Sequence, residues 1–130
     1  MAGSVPAHLV ASAAGATAFL DTRPVFRGHV LVVPDPHVDV LADLPAESLA
    51  PFFGFVQRVA TAVETGLGAG GTFVAMNNRV SQSVPHLHVH VVPRTRGDGL
   101  RGFFWPRTKY ASPDEADEYA TKIAAAIPPG

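Results

Sequence analysis

The chain has 130 residues, of which 47% are hydrophobic and 16% charged, with a formal net charge of -1. This length suits one globular domain with its own core, and the charge argues against bulk binding of polyanions. The absence of cysteine excludes disulfides and thiolate zinc sites. No apolar run approaches the ~18 residues of a membrane span, and residues 1–15 lack the basic residues and long leucine-rich run of a secretory signal. We therefore expect a cytoplasmic, water-soluble protein.

The N-terminal part of the chain predicts three strands. Residues 8–11 and 16–20 are short extended segments, and residues 28–33 form a β-branched, leucine-rich run bounded by prolines. Asp21 ends the second strand and opens a turn. His29, a single histidine inside the third strand, is interpreted as a structural residue that is hydrogen-bonded in the core.

The middle of the chain predicts one long helix and a fourth strand. Between residues 46 and 65, apolar side chains recur at intervals of three and four, the period of an amphipathic helix. These side chains are Leu49, Phe52, Phe53, Val56, Val59, Ala60 and Val63. The helix begins at Asp43 or Pro45 and ends at the glycines that follow Thr65. Residues 72–77 alternate like a strand, and a short link to the next strand indicates antiparallel pairing.

The C-terminal part contains an aromatic cluster and a second helix. The default interpretation is that the aromatic side chains of Phe103, Phe104 and Trp105 pack on the sheet. Stacking on a base and a place in a dimer interface are the alternatives. Ser112-Pro113-Asp114-Glu115 is a capping box with proline at the first helical position, and it opens a helix over residues 113–127. The predicted architecture is α+β, with an antiparallel sheet of about five strands and one long helix across it.

Three histidines stand on one predicted strand. His86, His88 and His90 alternate with apolar residues, so all three point to the same face, roughly 6.6 to 7 Å apart. Because imidazole titrates near pH 6.5, such a row can hold a neutral nucleophile beside a protonated donor, a mixture that suits phosphoryl chemistry. Gln82 and Ser83, just upstream, can add an amide and a hydroxyl to the same face.

From the residues alone, three interpretations of this row stay open. The first is a histidine-rich surface strand without a function. The second is a zinc site, in which two of these histidines and either His37 or a carboxylate are the ligands. The third is nucleotidyl transfer through a covalent histidine.

Several blocks of the chain resemble the histidine triad (HIT) superfamily. Residues 86–92 are similar to its signature His-φ-His-φ-His-φ-φ, in which φ is an apolar residue. Residues 19–34, followed by His37, resemble its other characteristic block. Asn77 and the run Gln82-Ser83-Val84 stand where the nucleotide-binding loop of the superfamily lies.

The chain also departs from the pattern of the superfamily. Members commonly carry glycine before the loop glutamine and a longer loop, whereas this chain has only Asn78-Arg79-Val80-Ser81 there. We still expect the backbone amides of this turn to form an anion-binding nest for phosphate with Ser81 in place of the glycine, provided that the turn does not require a positive φ. Pro93-Arg94 and the C-terminal helix are more similar to the fragile-histidine-triad branch, the dinucleoside polyphosphate hydrolases, than to the phosphoramidase branch.

The resemblance implies an enzyme that hydrolyses phosphoric anhydride or phosphoramidate bonds of nucleoside 5'-phosphoryl compounds. Neutral His88 would attack the α-phosphorus and form a nucleotidyl-histidine, from which water releases the nucleoside monophosphate. The other ring nitrogen of His88 would donate to the carbonyl of His86. His90, with Gln82 or Ser83, would contact the phosphate and the leaving group. His37 would be the fourth histidine of the site and support its phosphate end.

The resemblance also implies the nucleotide-binding residues and the partners. Asp21 would bind the ribose hydroxyls, and Phe19 and Leu20 are candidates for contact with the base, with core burial as the alternative. The remaining nucleotide-binding candidates are Asn77, Gln82, Ser83, Val84 and His90. We expect a single HIT-like domain over residues 1–130 that forms a homodimer, acts on a small nucleotide, and needs no cofactor or metal. The alternatives are a nucleotide-binding or interaction protein without turnover, and a zinc-dependent hydrolase.

Overall fold

The computed structural model describes residues 8–13, 15–100 and 107–129. Its elements in chain order are β1 (Leu9–Ala13), β2 (Ala16–Leu20), β3 (Val30–Pro34), a short 3-10 helix (Leu41–Asp43), α1 (Ala46–Leu67), β4 (Gly71–Ala75), β5 (Val89–Arg94) and α2 (Pro113–Ala126). The chain divides into two compact units, Met1–Asp98 and Gly99–Gly130. The single domain over residues 1–130 stays a prediction, and the aromatic cluster at 103–105 lies outside the described residues.

The five strands form one antiparallel sheet in the order β1-β2-β3-β5-β4, which confirms the predicted fold class. Directly paired residues on neighbouring strands point to the same face of a sheet. One row of pairs runs from Phe19 through Leu31 and His90 to Ala75. This row defines the face of the sheet that we call the histidine face.

The opposite face of the sheet packs against α1. The helix buries Phe52, Phe55, Val56, Val59 and Val63 against apolar side chains of the strands. Leu87, Val89 and Val91, which separate the histidines, are fully buried in the same core. Because they anchor their segment to the helix side, the intervening histidines are turned to the other side, as the alternation predicts.

Helix α1 follows the prediction closely. Pro45 is its N-cap, and Gly68, in the left-handed conformation at φ 65°, ends it two residues beyond the predicted range. Phe55, absent from the predicted apolar stripe, is buried, whereas Leu49 is 44% exposed. No helix among the described residues combines the length and the apolar character that crossing a membrane requires.

The strand that carries the histidines starts later than predicted. β5 begins at Val89, so His90 lies in the strand while His86 and His88 precede it. The physical reason is a different backbone partner, because the N–H of Leu87 donates to the carbonyl of Val38 at 2.8 Å. The segment before β5 is therefore held by the loop after β3.

The second unit contains α2, which begins at the predicted N-cap Ser112, although the Glu115 side chain bonds the residue before the cap and not the cap itself. Ser112 Oγ accepts from the N–H of Glu115 at 3.1 Å, and Glu115 Oε1 accepts from the N–H of Ala111 at 2.7 Å. The rings of Tyr110 and Tyr119 lie 5.7 Å apart between centroids. The helix ends at Ala126, one residue before the predicted end.

Candidate active site

Five imidazole rings form two groups on the histidine face. His37 and His86 have ring centroids 4.2 Å apart. The centroids of His88 and His90 are 5.0 Å apart, and those of His90 and His29 are 5.1 Å apart. His29 and His86 are buried, whereas His88 and His90 are half-buried. His37 is exposed, so solvent reaches its ring freely and reaches the rings of His88 and His90 in part.

The ring of His88 is oriented by the backbone of its own segment. Its Nδ1 lies 2.8 Å from the carbonyl oxygen of His86. A carbonyl only accepts hydrogen bonds, so Nδ1 carries the proton and Nε2 of the neutral ring keeps its lone pair. This is the contact that the resemblance implies for a nucleophile.

His90 contacts a histidine that the sequence did not place in the site. Its Nδ1 lies 2.9 Å from Nε2 of His29, whose Nδ1 accepts from the N–H of Val25 at 3.1 Å. Asp21 Oδ2 lies 3.7 Å from the same Nε2 of His29. Burial lowers the pKa of His90, and positive charge on His88 or His29 lowers it further. Burial also lowers the pKa of His29. The carboxylate of Asp21 acts in the opposite direction on both rings.

His86 is paired with His37 at the other end of the row. The two Nδ1 atoms lie 2.9 Å apart, and His37 Nε2 lies 3.3 Å from the carbonyl oxygen of Pro85. Burial lowers the pKa of His86, and its neighbours His37 and His88 act in the same direction. Burial therefore moves the pKa of both neighbours of His88 below the ordinary value, and the protonated donor beside the nucleophile stays a prediction.

The loop between β4 and the histidines is tied by the side chain of Gln82. Its Oε1 accepts from the N–H of Arg79 at 2.9 Å, and its Nε2 donates to the carbonyl of Asp39. Asn78, the residue after the predicted Asn77, accepts from the N–H of Leu41 at 2.7 Å. Gln82 and Asn78 therefore connect this loop to the loop after β3.

The remaining loop candidates are exposed. Asn77, Ser83 and Val84 lie at the surface, and the carbonyl of Val84 accepts from the N–H of His86 at 2.8 Å. Val84 thus helps to set the start of the histidine segment through its backbone.

The turn in this loop requires positive φ at two residues that are not glycine. Ser81, at the place where the superfamily commonly has glycine, has φ 61°, and Arg79 has φ 71°. The phosphate-binding nest was predicted on the condition that this turn needs no positive φ, and the structure does not meet that condition. Holding a side chain in the left-handed region costs on the order of 1 kcal/mol.

The structure separates the two residues predicted to contact a base. Phe19 is on the histidine face, in the row of His90, and is 6% exposed. Leu20, its neighbour, points to the opposite face and packs against the core under α1. Asp21 follows and is half-buried, with Oδ1 accepting from the N–H of Arg23 at 2.9 Å. The structure brings Asp21 together with the histidines but does not bring Leu20 there.

One group within the described residues has the composition of a metal site. Asp21, His29 and His90 each offer a ligand atom, and these atoms lie within 4.8 Å of one another. A carboxylate with two imidazoles suits zinc and several other divalent metals. This set differs from the zinc set considered from sequence, which placed His37 or a carboxylate beside two triad histidines.

His29 is the site residue that sequence reasoning missed. Alternation along β3 places it on the same face as Leu31, opposite Val30. Leu31 pairs with His90, so the parity of β3 combined with that pairing would have located His29 beside His90. The pairing of β3 with β5 was the missing information.

Comparisons with known proteins show the family and the fold of the chain. Residues 2–97 match a family model described as "HIT domain". The chain is 32% identical over 127 residues to an adenosine 5'-monophosphoramidase of Schizosaccharomyces pombe, covering 96% of this chain and 92% of that protein. It is 36% identical over 83 residues to a bis(5'-nucleosyl)-tetraphosphatase of the same yeast, covering 62% of this chain and 46% of that protein. A solved structure of a HIT-family protein from Bacillus subtilis superposes with a TM-score of 0.85 at 28% identity, covering 99% of this chain and 94% of that one.

Proposed function

The chain belongs to the HIT-domain family, and on that premise we propose that it hydrolyses nucleoside 5'-phosphoryl compounds through a covalent nucleotidyl-histidine on His88. The substrate class comprises dinucleoside polyphosphates and nucleoside phosphoramidates, in keeping with the names of two similar proteins. The observation that carries the proposal is the hydrogen bond of 2.8 Å between His88 Nδ1 and the carbonyl of His86. It leaves a lone pair on Nε2 of a half-buried imidazole.

In the first step, Nε2 of His88 attacks the α-phosphorus. The new bond joins nitrogen to phosphorus, while the bond from phosphorus to the leaving group breaks and its electron pair departs with that group. Positive charge that develops on the His88 ring is stabilised by the Nδ1–H bond to His86. The leaving group takes up a proton from water where its basicity requires one.

In the second step, water replaces the histidine. Its oxygen attacks phosphorus, the bond between phosphorus and nitrogen breaks, and the electron pair returns to Nε2 of His88. The proton released by water goes to solvent, and the nucleoside monophosphate leaves. The half-buried His90 beside His88 provides a polar contact to the phosphate in both steps.

The nucleoside binds on the same face of the sheet. Asp21 accepts hydrogen bonds from the ribose hydroxyls in this proposal, which is supported by the 3.7 Å between its Oδ2 and Nε2 of His29. Phe19 offers an aromatic ring in the row of His90, and Leu20 is left out because it faces the core. Gln82 acts on the phosphate end by shaping the loop through its bonds to Arg79 and Asp39.

The test is a panel of diadenosine tri- and tetraphosphate and adenosine phosphoramidate, assayed for released nucleoside monophosphate. Wild-type protein is expected to release it from at least one compound after treatment with a chelator, and His88→Ala is expected to release none. Loss of turnover when the chelator removes bound metal would indicate a zinc-dependent hydrolase. Nucleotide binding without turnover on any compound would indicate a binding protein. The homodimer and the cytoplasmic location stay predictions.

A further inference from the structure

The loop between β4 and the histidines carries a single cation, Arg79. Its backbone N–H donates to Gln82 Oε1 at 2.9 Å, and its φ of 71° lies in the left-handed region. The N–H of Val80 donates to the carbonyl of Asn78 at 2.8 Å, which closes the turn around Arg79. The backbone that bears the guanidinium is therefore held by hydrogen bonds, whereas the residue itself is exposed.

The same loop is fastened to one end of the row of imidazoles. Gln82, which binds the Arg79 amide, donates through Nε2 to the carbonyl of Asp39. The Asp39 carboxylate oxygen Oδ1 lies 3.6 Å from Nε2 of His37, and His37 Nδ1 lies 2.9 Å from Nδ1 of His86. The Arg79 backbone is thus connected through Gln82 and Asp39 to the ring that ends the row.

The other end of the row belongs to the nucleoside in the proposed function. There Asp21 Oδ2 lies 3.7 Å from Nε2 of His29, and the nucleophile His88 stands between the two ends. A substrate with its ribose at Asp21 and its α-phosphorus at His88 fills the first part of the face. The part left for a long leaving group is the His37 end, beside the loop of Arg79.

Permanent positive charge is scarce at the His37 end. Burial lowers the pKa of His86, the ring that contacts His37, and thereby disfavours its charged form. Residues 35–45 and 76–85, which form the two loops at this end, contain three aspartates and one arginine, with no lysine. That arginine is Arg79, and a guanidinium stays protonated throughout the pH range of folded proteins. An anionic group at this end therefore depends on Arg79 for a lasting positive charge.

We propose that Arg79 binds the distal phosphates of a polyphosphate leaving group and so makes the site selective for dinucleoside polyphosphates over nucleoside phosphoramidates. The inference rests on the proposed function, because it assigns the substrate class of that same site. Within residues 8–13, 15–100 and 107–129 the guanidinium of Arg79 forms no ion pair, so it is available to a ligand. A positive φ favours glycine, and arginine is kept at this position against that preference.

The two substrate classes differ in the leaving group and not in the nucleotide. Attack of His88 on the α-phosphorus of a dinucleoside tetraphosphate breaks a bond to a bridging oxygen, and a nucleoside triphosphate leaves with the electron pair. Attack on a phosphoramidate expels ammonia or an amine instead. Only the first leaving group has phosphate oxygens that a guanidinium can bind through paired hydrogen bonds. The phosphoramidate is therefore an internal reference for the contact with Arg79.

The test compares diadenosine tetraphosphate with adenosine 5'-phosphoramidate, which share the adenylyl group. In Arg79→Ala we expect kcat/KM for the tetraphosphate to fall roughly 5- to 10-fold and kcat/KM for the phosphoramidate to stay within about twofold. Arg79→Lys keeps the charge without the planar fork and should recover part of the loss. Alanine and lysine both have a Cβ, so the left-handed strain at this position is common to the variants and the wild type.

Arg58→Ala is the matched control, because Arg58 is an exposed arginine of α1, the helix on the opposite face of the sheet. It should leave both kcat/KM values unchanged. Added salt should raise KM for the tetraphosphate more in the wild type than in Arg79→Ala, since an exposed charge contact is screened. Equal losses on the two substrates in Arg79→Ala, or no loss on either, would overturn the selective role while the hydrolase itself stands.

A binding measurement decides the question even if no compound is turned over. Calorimetric titration with AMP and with adenosine 5'-tetraphosphate compares one phosphate with four on the same nucleoside. We expect the wild type to bind the tetraphosphate about fivefold more tightly than AMP or better, and Arg79→Ala to lose that preference. Binding of AMP without a preference for the tetraphosphate would overturn the role of Arg79 alone. Binding of neither nucleotide would overturn the proposed function together with it.

Discussion

His88 Nδ1 donates to the carbonyl of His86, two residues earlier in the chain, across 2.8 Å. The nucleophile is therefore oriented by its own backbone segment, whereas the neighbouring His90 contacts a side chain from a distant segment, that of His29 just before β3. Because the segment of His86 is in turn held by the bond between Leu87 and Val38, the loop after β3 contributes to the position of the reactive ring.

Removal of the His88 ring should abolish turnover without abolishing binding. We expect His88→Ala to lower kcat about 10⁴-fold or more, because no other nitrogen takes the place of Nε2. His88→Gly and His88→Asn should retain nucleotide affinity within about tenfold, because the attack contributes mainly to the transition state. Calorimetric titration with a nucleoside monophosphate measures the affinity. His8→Ala is the matched control, since His8 is exposed. Full activity in His88→Ala would contradict the covalent mechanism.

The side chain of Gln82 should hold the loop before the histidines. Gln82→Ala removes two hydrogen bonds, to Arg79 and Asp39, each worth about 0.5–1.5 kcal/mol. Hydrogen exchange of the Arg79 amide should accelerate, and nucleotide affinity should fall. Gln57→Ala, on the exposed side of α1, is the control. Unchanged exchange at Arg79 would show that the tether does not stabilise the loop.

Ser81→Gly should stabilise the protein. Glycine adopts φ near 61° without the Cβ clash that Ser81 experiences, so we expect a gain of about 0.5–1 kcal/mol and a rise of about 2–5 °C in Tm. Ser83→Gly is the control, because among the described residues only Arg79 and Ser81 combine a side chain with positive φ. A Tm that rises equally in both variants, or in neither, would mean that the turn is not strained.

Stability should decrease as the pH falls below the ordinary histidine pKa of 6.5. Burial holds the pKa of His29, His86 and His90 below that value in the folded chain, so the unfolded chain binds more protons. Their contribution to the free energy of unfolding is fully present above pH 6.5 and is lost as the pH falls through the folded pKa values. Denaturant unfolding from pH 8 to pH 5.5 measures this. His29→Asn should show a weaker dependence, and an identical slope in that variant would contradict burial as the cause.

The elements of this fold are readable from the sequence because their signals are local. The stripe of α1, its glycine at the C-terminal end and the capping box of α2 each depend on residues within one or two turns. The alternation around His88 likewise predicted which side chains enter the core, since Leu87, Val89 and Val91 are fully buried.

What the sequence could not predict depends on contacts between distant segments. The partner of His90 is His29, 61 residues earlier, and it follows only from the pairing of β3 with β5. The late start of β5 depends on a backbone bond from Leu87 to Val38, which no pattern around the histidines encodes. Gln82 was predicted to contact phosphate from its place in the loop, whereas its amide is already bonded to Arg79 and Asp39.

The most direct measurement is the identification of a covalent intermediate. Wild-type protein is mixed with a hydrolysed member of the panel, quenched within one turnover in alkali, where a bond between phosphorus and imidazole persists, and digested for mass spectrometry. We predict a nucleoside monophosphoryl group on His88 that is absent from His88→Asn. Turnover by wild-type protein with no such adduct, or with the adduct on another residue, would contradict His88 as the nucleophile.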